Sequence, residues 1–170
     1  MMLNFLASKS ELIVSFCAMV TSIISLFIAY KAQVNQQKHN QLSVKPLAEF
    51  LIGDYEDVIF LKIKNQGTGP LIIKEFLTQK DNNHHHQLLD AISHIKRDLV
   101  WDRFTGNIDG RIISVDKEIT LIQASFEAGQ NFIRQQLRSE LSNLELKLTY
   151  NDIYEIEQPK ITKKLDWFSR

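Results

Sequence analysis

Residues 12–30, LIVSFCAMVTSIISLFIAY, form a run of 19 positions with no charge, no proline and no glycine. At about 1.5 Å per helical residue the run spans roughly 28 Å, close to the hydrocarbon thickness of a bilayer. Glu11 and Lys31 bracket it, and Tyr30 stands where an interfacial aromatic belongs. A cleaved signal peptide would have a shorter apolar core and small residues before its cleavage site, and no A-x-A pattern occurs here. A helix apolar on every face is also a poor fit to a one-sided soluble core. The run is therefore read as a transmembrane helix that closes an N-terminal segment over 1–30.

Along the run and just past its end, Ser15, Ala18, Ser22, Ser25, Ala29 and Ala32 recur at spacings of 3, 4, 3, 4 and 3. Such spacing places small residues on one stripe, where a second membrane helix can approach closely. The stripe is expected to mediate helix packing, either between copies of the chain or against another protein. Chance enrichment of Ser and Ala would look the same. Lys31, Lys38 and Lys45 follow the helix and no acid occurs until Glu49. By the positive-inside rule the C-terminal part then lies in the cytoplasm.

Residues 31–45 are polar and rich in Gln and Asn, which predicts a helical stalk that must stop before Pro46. From residue 46 onward the apolar period changes to alternation. Strands are expected over 47–52, 58–64, 71–78, 112–115, 118–124, 144–150 and 155–165, with Pro159 marking an edge or a bulge in the last. Helical inserts are expected from His86 to Leu99 and from Phe132 to Asn143. Short strands without a βαβ rhythm predict a mainly β fold for 46–170: an antiparallel, Ig-like β-sandwich of about seven strands with two helical inserts.

The stalk end His39–Pro46, the turn Asn65-x-Gly67-x-Gly69-Pro70 and the late stretch Leu148-x-Tyr150-x-Asp152-Ile153-Tyr154 resemble a group of uncharacterised bacterial single-pass membrane proteins. The resemblance covers most of the chain. It implies the architecture, a bacterial inner (plasma) membrane location and a structural role for Asn65, Gly67, Gly69 and Pro70. It implies no chemistry.

The residues themselves point the same way. Lys+Arg and Asp+Glu both number 20, so no net charge draws the chain to nucleic acid. The single cysteine, Cys17, lies in the apolar run, so the rest of the chain has no internal disulfide. There is no G-x-S-x-G, and the glycines of 67–69 lead into Pro70 and a strand rather than a phosphate-binding helix. His86, Asp90 and His94 would share a face of the expected helix with zinc-like spacing, although that face should be solvated. The basic and aromatic stretch 159–170 suits either a charged edge strand or anionic lipid headgroups. Trp101, Arg103 and Phe104 suit either a contact patch or core burial.

The leading expectation is a membrane-tethered, non-enzymatic interaction or sensing module without a cofactor. Its partners would be the membrane and either a protein or a second copy reached through the helix. An accessory subunit or a component of a bacterial membrane or defence system would suit such a device. The alternatives are a membrane-bound, metal-dependent enzyme using the His84–His94 region, and a lipid- or envelope-contacting protein on the outer side of the membrane.

Overall fold

The structure is a computed structural model that describes residues 2–81, 83–92, 99–127 and 129–170, the side chains of 2–10 excepted. The chain divides into two compact units, Met1–Leu42 and Ser43–Arg170.

The first unit is helical. α1 runs from Met2 to Ser43, and the part from Glu11 is long and apolar enough to cross a membrane. Nothing interrupts it, because the first proline is Pro46. Its apolar side chains, Leu12 and Phe16 through Phe27 and Tyr30, stand exposed all around the helix.

The second unit holds two antiparallel sheets. The described residues supply β1 (Ala48–Asp54), β2 (Val58–Asn65), β3 (Leu71–Lys80), β4 (Asn83–His85), α2 (Leu88–Ala91), β5 (Arg103–Phe104), β6 (Ile112–Ile113), β7 (Glu118–Ser125), α3 (Asn131–Ser142), β8 (Leu144–Asn151), β9 (Ile161–Lys164) and a closing 3₁₀ turn, Asp166–Ser169. One sheet has the order β1-β2-β7-β5. The other has the order β4-β3-β8-β9, with β6 also beside β3.

Alternation decides which residues are buried. Ile59, Leu61 and Ile63 of β2, Ile73 and Phe76 of β3, and Leu144, Leu146, Leu148 and Tyr150 of β8 belong to one core shared by both sheets. Among the described residues two bulges interrupt the pairing. One falls between Leu61 and Lys62 where β2 meets β7, and the neighbours Leu121 and Ile122 are both buried there. The other falls between Ile73 and Glu75 opposite β8, which leaves Lys74 unpaired and turned outward.

Several expectations need correction. The helix anticipated from His86 to Leu99 starts later than expected, and its residues 93–98 lie outside the described residues. Asn83–His85 before it pairs with Thr78–Lys80 as β4, and among the described residues of that stretch the helical ones are Leu88–Ala91. Ile95 and His94 lie outside the described residues. The last strand covers 161–164 rather than 155–165, and Glu157 makes only an isolated bridge to Asn151. The strand expected over 112–115 is limited to Ile112–Ile113.

α3 is tied to the β1–β2 hairpin by charge. Leu137 and Leu141 bury one face of the helix, while Arg134 and Arg138 lie one turn apart on another. Arg134 Nη2 contacts Asp54 Oδ1 at 2.6 Å and Arg138 Nε contacts Asp54 Oδ2 at 3.2 Å. Arg134 also donates to the Tyr55 and Glu56 carbonyls. The Asp54 side chain is only 7% exposed, so removing it strands two cations in a poorly solvated place. Asp54→Ala is expected to lower stability by about 3 kcal/mol, read by equilibrium denaturation, and to speed amide exchange at Tyr55–Val58. Unchanged stability would show that the pair is solvent-compensated.

Candidate functional site

The turn after β2 is built around one buried side chain. Asn65 is fully buried. Its Nδ2 donates to the carbonyls of Gly69 at 2.8 Å and Ile113 at 3.0 Å. Its Oδ1 accepts from the backbone N–H of Gly67 at 3.0 Å and of Leu47 at 3.3 Å. Its own backbone N–H donates to Lys117, and its carbonyl accepts from Asp116. One residue thus ties together the start of β1, the turn itself, the end of β6 and the entry to β7.

The chain leading into β1 lies against this turn. Gln66 N–H donates to the Leu47 carbonyl and Thr68 N–H to the Lys45 carbonyl. The contact explains both glycines. A Cβ at Gly67 would collide with the backbone of Lys45–Leu47, and one at Gly69 would collide with the Val44 carbonyl. Pro70 then opens β3 where no backbone donor is needed. Asn65, Gly67, Gly69 and Pro70 therefore stand together as a clamp on residues 44–47, with every polar atom of the Asn65 side chain bonded.

The small-residue stripe lies on α1, with Ser15, Ala18, Ser22, Ser25, Ala29 and Ala32 all exposed. The hydroxyls of Ser15, Ser22 and Ser25 donate back to the carbonyls of Glu11, Ala18 and Thr21, each at 2.8 Å. Each is the bond to the carbonyl one turn back that a serine within a helix readily makes. The stripe thus offers small surface and acceptor lone pairs rather than free donors.

The described histidines do not form a constellation. His86 precedes the helical turn that carries Asp90, so the spacing that would place them on one face is lost. His86 Nδ1 lies 3.4 Å from Asp109 Oδ2, whose other oxygen accepts from Phe76 N–H. His94 lies outside the described residues. Among the described residues no group of three or more His, Cys, Asp or Glu could hold a metal ion. In β5 Phe104 is exposed beside Arg103, whereas Trp101 packs partly against the core.

A second polar node escaped sequence reasoning. Asp152 is buried in the β8–β9 loop. Its Oδ1 accepts from the backbone N–H of Tyr154 and Ile156, each at 2.9 Å, and its Oδ2 from Gln158 at 3.2 Å. The Asp-x-x-x-x-x-Gln spacing carries no periodic signal, so only the folded loop brings the pair together. From the same loop Glu157 Oε2 meets Lys74 Nζ at 2.8 Å. The hydrogen bond and charge of Lys74 hold the Glu157 carboxyl below its ordinary range, and Glu157 raises Lys74 in return.

Compared with known proteins, the chain matches no family model, and no curated protein is similar to it in sequence.

Two outcomes follow from this geometry. Asn65→Ala leaves two backbone donors and two carbonyls without their partner, so a loss of about 3 kcal/mol or more is expected in denaturation; a loss below about 1 kcal/mol would mean that water replaces the amide. The Lys74–Glu157 pair contributes above the ordinary Glu pKa, and its contribution disappears as pH falls through the lowered one. Lys74→Gln should return the Glu157 midpoint upward in an NMR titration, and an unmoved midpoint would assign the depression to another cause.

Proposed function

We propose that this chain is a membrane-anchored, non-enzymatic interaction module. One observation carries the reading: α1 exposes apolar side chains on every side from Leu12 to Tyr30. A helix of that kind is stable in a bilayer and costly in water. Its hydroxyls, bonded within the helix, suit the same medium. The small-residue stripe is then a contact for a second anchor or for a partner's helix. The flanking Lys31, Lys38 and Lys45 favour a cytoplasmic side for the C-terminal domain, and the resemblance of the turn and late motifs favours a bacterial inner membrane.

For the domain we propose an immunoglobulin-like sandwich. The strand orders support this, because β1-β2-β7-β5 follows the A-B-E-D pattern and β3-β8-β9 follows C-F-G, with β4 in the position of C′. The buried polar side chains support a binding role over a catalytic one. Asn65, Asp152 and Gln158 hydrogen-bond within loops and turns, as a scaffold requires.

The test is fractionation of the full chain. It should remain with membranes through an alkaline carbonate wash and enter solution only with detergent. Full-length chain in the carbonate supernatant would overturn the anchored reading. A mature chain lacking residues 1–30 would overturn it too, and would identify the apolar run as a cleaved leader.

A further inference from the structure

The two sheets end in strands that treat their free edges differently. β5 and β6 have two residues each and β4 has three. β9 has four, follows Pro159 and exposes Thr162, Lys163 and Lys164. Shortness, proline and lysine are the usual means of keeping foreign strands from pairing with an edge. β1 follows Pro46 as β9 follows Pro159, but it has neither the shortness nor the lysines. It runs for seven residues, Ala48–Asp54, with Phe50-Leu51-Ile52 at its centre and neither Pro nor Lys within it.

The ladder shows which backbone groups face outward. Tyr55 N–H donates to the Val58 carbonyl, and Gln66 N–H donates to the Leu47 carbonyl. Antiparallel pairs alternate between bonded and non-bonded positions. Glu49, Leu51 and Gly53 therefore bond to β2, while the N–H and C=O of Phe50 and Ile52 point to the free edge. At the start of the strand the outward N–H of Ala48 is taken up by the Tyr150 hydroxyl at 3.5 Å.

A groove of about 320 Å³ lies along this edge, lined by Glu49, Phe50, Leu51, Ile52, Lys163 and Trp167. Phe50, Ile52 and Trp167 are half-buried and form its apolar wall. Lys163, on the facing edge strand, is exposed and has no anionic partner among the described residues.

We propose that β1 accepts an extended strand from a partner protein, with apolar residues at two alternate positions and a carboxylate on the same face. The incoming backbone bonds to Phe50 and Ile52, its apolar side chains cover Phe50, Ile52 and Trp167, and its carboxylate meets Lys163. The β1 of a second copy fits less well. The carboxylate on its inward face, Asp54, is already bound to Arg134 and Arg138.

This proposal rests on the interaction-module reading. Its test uses the detergent-solubilised full chain, so failure of either is seen separately. The probe is a synthetic peptide with the repeat valine–threonine–valine–threonine–glutamate, compared with one ending in lysine. The glutamate peptide is expected to slow amide exchange at Phe50 and Ile52 about tenfold, with little change at Leu51 and Gly53. It should also shift Trp167 fluorescence and bind about tenfold more tightly than the lysine peptide, a preference that Lys163→Glu should reverse. Three outcomes would overturn the proposal: no protection at Phe50 and Ile52 with millimolar peptide, equal binding of the two peptides, or protection that appears without peptide and grows with protein concentration, which would assign the edge to a second copy.

Discussion

The β domain is organised around the hydrogen bonds of one buried carboxamide. Asn65 sits where the chain enters β1, leaves β2, ends β6 and begins β7. A buried amide with all of its bonds made is well tolerated, and one with any missing is expensive. That asymmetry makes the junction all-or-none. It also sets the requirement for glycine at 67 and 69, since the turn must lie directly on the backbone of residues 44–47 to deliver its carbonyl and N–H to the amide.

Asp54, Asp152 and Gln158 do similar work at other places. Asp54 joins the β1–β2 hairpin to α3 through two arginines. Asp152 and Gln158 fold the β8–β9 loop over itself. These groups hold connections, while the alternating apolar residues of β2, β3 and β8 fill the space between the sheets. What the domain presents to other molecules is therefore its surface, and chiefly the edges of its sheets. Of the sheet-end strands, β4 and β5 are very short and β9 carries exposed lysines, whereas β1 is long and carries none.

The sequence was most readable where a period persisted over many residues. The apolar run of 12–30 and the alternation in β2 and β8 left little freedom in assigning α1 and the long strands. The start of the helix expected at His86 was misplaced for a physical reason. Leu88, Leu89 and Ile92 have helical spacing and are buried, but the ladder between Thr78–Lys80 and Asn83–His85 holds the preceding residues extended. That ladder is three residues long and β5 only two, too short for either to show a period. The shared face expected of His86 and Asp90 was lost with the helix start.

Local pattern alone determined the long apolar helix, the positions of the long strands and the need for a sharp turn at 65–70, because each depends on neighbours in the chain. Tertiary structure decided the rest. It chose the partners of Asn65 at Leu47 and Ile113, set Arg134 and Arg138 on Asp54, turned Lys74 outward at a bulge and left β1 with an unpaired side. Each of these joins residues far apart in sequence, and no spacing along the chain encodes which distant atom will satisfy a buried donor or acceptor.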